Sequence, residues 1–155
     1  MKVNWVLLIV FIILANLIGS IGSLWTDSDS DWYKGLNKSK LNPPGWAFGV
    51  AWTLIFTLIG ISFYFIYSAP FSNLKIAALI LFGVQFVFNI LWSYLFFGLQ
   101  SPLYGFIGII LVEMFVLATA ILFYLVRPVS GYLFIPYILW VIFAGILNWN
   151  ILRLN

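Results

Sequence analysis

The chain contains no cysteine and no histidine. Disulfide frameworks, thiolate nucleophiles, Cys/His zinc sites and His-ligated haem are excluded with them, and so is imidazole acid–base chemistry. Charge is nearly as scarce: Asp, Glu, Lys and Arg together make up 7% of the 155 residues, with a formal net charge of +3. Soluble domains carry about 25% charged residues. No basic cluster suggests a nucleic-acid partner. Any chemistry must come from Trp, Tyr, Asn, Gln, Ser, Thr and a few isolated charges.

What fills the chain is hydrocarbon: 65% hydrophobic residues and a mean hydropathy of +1.13. The solvent for most of it is therefore lipid. A membrane-crossing helix needs about 20 mainly apolar residues, and five stretches meet that need, at roughly 4–24, 45–67, 74–98, 103–126 and 130–153. The expected fold is an all-α membrane protein, a five-helix transmembrane bundle, with no length left for a second domain. Short connections after the first loop predict that sequential helices are antiparallel neighbours. Met1-Lys2 before a long apolar run, with no A-x-A-like site after it, reads as a retained first span rather than a cleaved leader. Lys2, Lys75 and Arg127 fall on one side of the membrane and Lys34, Lys38, Lys40 and Arg153 on the other. So even a distribution assigns no orientation.

The one long polar loop contains WYKGLNKSKLNPPGW, residues 32–46. Before it, Asp27, Asp29 and Asp31 alternate with serines, but Trp32 and Lys38 stand where a calcium loop needs Gly and Glu. Asp31 is expected to cap a short helical turn. Asn37-Lys38-Ser39 matches a glycosylation sequon only formally. Asn42-Pro43-Pro44-Gly45 reads as a stiff helix start capped by Asn42. The loop is expected to fold over the bundle as a lid, its lysines in water and its aromatics, Trp32, Tyr33 and Trp46, turned to a cavity mouth.

Inside the spans, polar and small residues fall on single faces. Asn16, Gly19, Ser20 and Ser23 share one face of the first span, which suits either close packing or lining a cavity mouth through Gly19, Gly22 and Ser23. Gly45, Gly49, Trp52, Phe56 and Gly60 follow one another along the second, where Gly45-x-x-x-Gly49 predicts close helix approach. Trp52 lies roughly 10 Å below the diproline at about 1.5 Å per residue, too deep for an interfacial belt. Gln85, Asn89, Trp92 and Phe96 share an arc of the third span, as interhelical glue, as ligand anchors, or as both. Glu113 is the one acidic residue within a span, a functional candidate or a protonated or amide-paired carboxyl. Tyr137, Trp140, Ala144 and Asn148 form a stripe on the fifth span, readable as a recess or a packing seam, near a kink expected at Pro136.

Of eight tryptophans, Trp5, Trp25 and Trp149 lie near span ends, as interfacial belts require. Trp52, Trp92 and Trp140 lie deeper, each beside a small or amide residue. A cavity of aromatic faces and a few amides suits a flat, polycyclic guest such as a tetrapyrrole or sterol. Without histidine, a tetrapyrrole would be held without His axial ligation.

Trp32-Tyr33 with Leu36 and Lys38, then Pro43-Pro44 and Trp46, then Trp52, together with QFVFNILWSYLFFG (85–98) and PYILWVIFAGILNWNILRLN (136–155), resemble the TspO/MBR family. These are the tryptophan-rich sensory proteins related to the mitochondrial translocator protein, or peripheral benzodiazepine receptor. The resemblance covers the chain from about Trp32 onward. It implies a bundle, commonly a homodimer in a bacterial cell membrane, that binds porphyrins, sterols and isoquinoline or benzodiazepine ligands under the first loop, with no required cofactor. It carries Tyr33, Pro43, Trp46, Trp52, Phe56, Asn89, Trp92, Trp140, Ala144 and Leu147 into the pocket. Ser23, Trp32 and Asn148 join them from the face and lid arguments above. It also implies catalytic roles for Trp52 and Trp140 in light- and oxygen-dependent porphyrin degradation. Two positions depart from the family pattern: Lys38-Ser39 replaces Lys-Pro, and Trp149 stands where a sterol motif has tyrosine. Three functions follow as expectations: a ligand-binding sensor or transporter, a porphyrin-degrading enzyme, or a scaffold with an incidental cavity.

Overall fold

The computed structural model describes residues 3–155, so Lys2 lies outside the described residues. It contains helices α1 (Trp5–Gly19), α2 (Asp31–Gly35), α3 (Gly45–Tyr67), α4 (Asn73–Ser93), α5 (Pro102–Val126), α6 (Pro128–Tyr132) and α7 (Ile135–Leu154). A 3₁₀ segment, Ser20–Leu24, extends α1, and a π-helical segment, Tyr94–Gly98, extends α4. These make five helical stretches long and apolar enough to cross a membrane. With 42 large hydrophobic side chains exposed at its surface, from Val3 to Leu154, the protein fits a lipid solvent, not water.

Local chemistry sets the helix starts. The side chains of Asn4, Ser72 and Ser101 accept hydrogen bonds from the backbone N–H groups of Leu7, Lys75 and Tyr104, satisfying donors that a helix leaves free in its first turn. In α2 that cap is Ser30, accepting from Tyr33 N at 3.3 Å, and not Asp31, which is the first helical residue. Asn42 does not cap α3 either; its amide turns to Pro43 O at 3.4 Å. The diproline keeps the chain extended, with Pro44 at φ −63° and ψ 151°, so Asn42 lies too far from the free N–H groups of the first turn.

The helices form a ring in the order α1, α3, α6/α7, α5, α4 and back to α1. Short loops make neighbours of α4 and α5, and of α5 and α7, as expected, but α3 and α4 do not pack closely backbone to backbone. Aromatic side chains hold them apart: Phe56 stacks on Phe86 at 6.0 Å and Phe63 on Phe82 at 4.9 Å. Pairs of rings this bulky bridge a gap that small residues would close.

At one end the ring is tight. A Cβ on Gly60 would come within 2.6 Å of Ile12 Cα, so α1 and α3 touch there backbone to backbone. Ser62 and Ser130 exchange hydrogen bonds through each other's carbonyls, at 2.9 and 3.2 Å, joining α3 to α6. At the other end Gly45 and Gly49 have no atom within 4 Å of a Cβ position, so they leave open space and do not bring helices together. The fifth span is interrupted at Leu133-Phe134, and Pro136 lies in the first turn of α7 where its missing N–H costs nothing, which puts the break before the proline.

Candidate functional site

The splayed end of the ring encloses a cavity of about 950 Å³ between α1, α3, α4 and α7, beneath the first loop. From α1, its 3₁₀ extension and the loop come the polar Asn16, Ser20, Ser23, Thr26 and Ser28 together with the apolar Ile12, Ile13 and Leu17. Aromatic rings come from the other helices: Trp52 and Phe56 from α3, and Trp92, Phe96 and Phe97 from the end of α4. Trp52 stacks on Phe56 at 5.4 Å, and Trp92 on Phe96 at 5.8 Å with an interplanar angle of 8°. The cavity therefore offers flat faces to a flat guest.

Glycines seat two of these rings. A Cβ on Gly19 would lie 2.4 Å from the Phe56 ring, and one on Gly105 would lie 2.3 Å from Phe96 Cδ2. Both aromatic side chains occupy room that only the absence of a side chain leaves free.

Amides close the deep side. Asn89 Nδ2 donates to the Tyr137 hydroxyl at 2.8 Å, and that hydroxyl donates to Gln85 Oε1 at 3.0 Å, across α4 and α7. Tyr137 is 1% exposed and Gln85 fully buried. Gln85 and Asn89 are thus interhelical glue, and Asn89 also faces the cavity. Asn148 donates back to Ala144 O at 2.9 Å, which leaves its Oδ1 buried without a protein partner. Trp92 Nε1 is buried and unpartnered as well. Both atoms are sealed against α5, where Cβ positions on Gly105 and Gly108 lie 3.0 Å from Asn148 Oδ1 and 3.3 Å from Trp92 Cδ1, and not turned to the cavity.

The lid is fixed at two places. Trp32 and Tyr33 meet Phe96 edge-on at 5.4 and 6.2 Å, and Tyr33 lies 5.3 Å from Phe97. Beyond α2, Asn37 and Asn155 exchange hydrogen bonds at 2.9 and 3.1 Å, and Asn37 Nδ2 donates to Leu154 O at 3.3 Å. Lys38 is half-buried instead of extended into water. Its ammonium lies 4.2 Å from the Tyr33 ring centroid and donates to the carbonyls of Tyr33 and Leu36. Desolvation there lowers its pKa from the ordinary lysine value.

Of the thirteen residues expected at the site, Ser23, Tyr33, Pro43, Trp52, Phe56, Asn89, Trp92, Ala144, Leu147 and Asn148 line the cavity. Three do not. Trp46 is 72% exposed on the outer face of α3's first turn, because its neighbours at 45 and 49 face the cavity and one residue turns the helix by about 100°. Trp32 packs on the outside of Phe96. Trp140 stands behind the lining, edge-on to Trp52 at 6.4 Å and to Phe48 at 5.7 Å. Sequence reasoning missed Phe97, which a regular helix would turn away from Phe96; the π-helical turn brings both to the cavity. It also left out Thr53 and Ser93, which carry no signal apart from neighbours on their faces.

A five-span membrane bundle with an aromatic cavity under a tethered loop defines the class. The TspO/MBR family model matches residues 11–154, and the chain belongs to that family. It is 40% identical over 154 residues to the "Tryptophan-rich protein TspO" of Archaeoglobus fulgidus, covering 98% of this chain and 99% of that one. It is 31% identical to the "Tryptophan-rich sensory protein" of Cereibacter sphaeroides, covering 100% and 95% of the two chains. With the "Translocator protein" of Bos taurus it shares 30% identity, covering 97% and 91%. The protein is accordingly an integral membrane protein of this family.

Proposed function

We propose that the chain binds flat, polycyclic amphiphiles of the tetrapyrrole kind in this cavity and serves as a membrane sensor or transporter for them. One observation carries the reading: the stacked rings of Trp52 on Phe56 and Trp92 on Phe96 line a cavity of about 950 Å³ whose lining also includes Asn16, Asn89 and several hydroxyl side chains. Stacking and apolar burial supply affinity, while the few polar side chains of the lining fix the guest's orientation. Sterols and isoquinoline or benzodiazepine compounds, also flat and largely apolar, suit the same faces. The relatives' names, sensory protein and translocator protein, agree with this role.

Titration of the purified protein with protoporphyrin, read by tryptophan quenching, tests the proposal. Saturable binding is expected, weakened at least tenfold by Trp52→Ala and unchanged by Trp46→Ala. Equal loss in both variants, or no saturation in the wild type, sinks it.

A second reading draws on the contact of Trp52 with Trp140. Indole donates electrons readily to a photoexcited porphyrin, and Trp140 extends Trp52 away from the cavity as a second donor. Molecular oxygen would be the oxidant in a light-dependent degradation of the guest. Illumination in air should then yield a new absorbing product that Trp52→Phe and Trp140→Phe lose. A product retained in both variants rules out the role of these indoles.

A further inference from the structure

The cavity is nearly free of charge. Among the described lining residues Asp29 is the one of a charged type, and no lysine or arginine lines the wall. A guest with carboxylates, such as a dicarboxylate tetrapyrrole, cannot bury them against this lining without losing their hydration uncompensated. Its acids must stay at the mouth, where the loop runs.

Cations at that end are not equivalent. Lys38 is committed: its ammonium is held by two backbone carbonyls over the Tyr33 ring, and desolvation already disfavours its charge. Lys40 and Arg153, like Lys34, are exposed and stand outside the lining. Lys34 differs from both. Its Nζ lies 3.4 Å from Oδ1 of Asp29, the one charged residue of the cavity wall, and the two side chains are 61% and 93% exposed. An ion pair so exposed is worth little and exchanges readily with another anion.

We propose that the Asp29–Lys34 pair is the acid-recognising element of the cavity mouth: a guest's carboxylate replaces Asp29 as the partner of Lys34, while Asp29 opposes acids that find no such exchange. The inference rests on the cavity reading above and deepens it to a ligand class, flat amphiphiles with an acidic edge directed outward. Lys34 is a specificity-determining residue in this account, and Asp29 sets the threshold against which it works. The carbonyl clamp on Lys38 leaves Lys34 as the lysine able to follow a guest.

The test compares protoporphyrin with its dimethyl ester, which has the same ring and no carboxylate, by tryptophan quenching of the full chain in nanodiscs of uncharged lipid. At low ionic strength Lys34→Gln should weaken the diacid about threefold and leave the ester unchanged. Asp29→Asn should strengthen the diacid by a similar factor, again sparing the ester. Both differences should vanish near 1 M salt, where exposed charges are screened within about 3 Å. Equal shifts for acid and ester in Lys34→Gln, or no shift for either, overturn the exchange while leaving the cavity reading intact. A wild-type chain that binds neither compound overturns the cavity reading, and the exchange with it.

Discussion

Asn37 of the first loop and Asn155 beyond the last turn of α7 hold each other across 118 residues of sequence, each donating to the other's oxygen. Asn155 also donates to Ile151 O at 2.8 Å, and Ile151 lines the cavity. The clasp therefore ties the lid to a helix that lines the cavity.

Asn37→Ala removes the side chain that donates to Leu154 O and loosens the clasp without touching the core. Partly exposed hydrogen bonds contribute about 1 kcal/mol each, so guest dissociation should speed about fivefold. Hydrogen exchange over residues 31–42 should rise in parallel, with the unfolding midpoint of the bundle unchanged. Unaltered exchange in this segment would show that the Asn37 side-chain bond to Leu154 O does not hold the lid.

Tyr33 works from the other side of the lid, packed on Phe96 and Phe97 and under the Lys38 ammonium. Tyr33→Ala takes away both ring contacts and the platform for the cation. Guest dissociation should speed more than tenfold while stability falls by less than about 1 kcal/mol, because the residue is only half-buried. Stopped-flow measurement of the off-rate beside an unfolding curve separates the two effects.

Tyr137→Phe keeps the ring against Trp52 and deletes the hydroxyl shared by Asn89 and Gln85. Two buried amides then lose a partner in the bundle interior. A stability loss of about 1–2 kcal/mol is expected, the range found for polar contacts within membranes. Denaturation in mixed micelles measures it, and a midpoint equal to wild type would mean that the amides find other partners.

The glycines of α3 should divide by depth. Gly60→Ala drives a methyl group toward the Ile12 backbone and should destabilise the bundle by about 1–3 kcal/mol. Gly49→Ala meets open space, so stability should hold or rise slightly, as alanine favours helix by up to about 1 kcal/mol. Its methyl group enters the cavity and should weaken the guest severalfold. Paired unfolding and binding curves for the two variants decide both outcomes.

Much of the fold was legible because lipid imposes it. Apolar run length alone located five spans, and the bounds of the second agree residue for residue with α3 at Gly45–Tyr67. Ten of the thirteen expected site residues line the cavity, since small, aromatic and amide residues recur at helical spacing on the faces turned inward. The departures from the cavity lining have local causes. Trp46 shares the loop's motif but not the inward face of α3, and Phe97 depends on a π-helical turn that no 3.6-residue period describes. Gly45 and Gly49 match a packing motif, yet a motif of small residues specifies only a surface without bulk.

The sequence by itself determined the solvent, the number of spans and the inward face of each, because hydrocarbon leaves a long helix few alternatives and helical geometry is local. The tertiary structure decided which faces meet. Gly60 touches a neighbouring backbone and Gly49 borders a void because α1 and α3 converge at one end and part at the other. Trp52 lines that void while Trp140 stands behind it, and Asn37 finds Asn155. Those pairings depend on helix order and on rings such as Phe56 and Phe86 that keep α3 and α4 apart, relations between residues distant in the chain that no local period encodes.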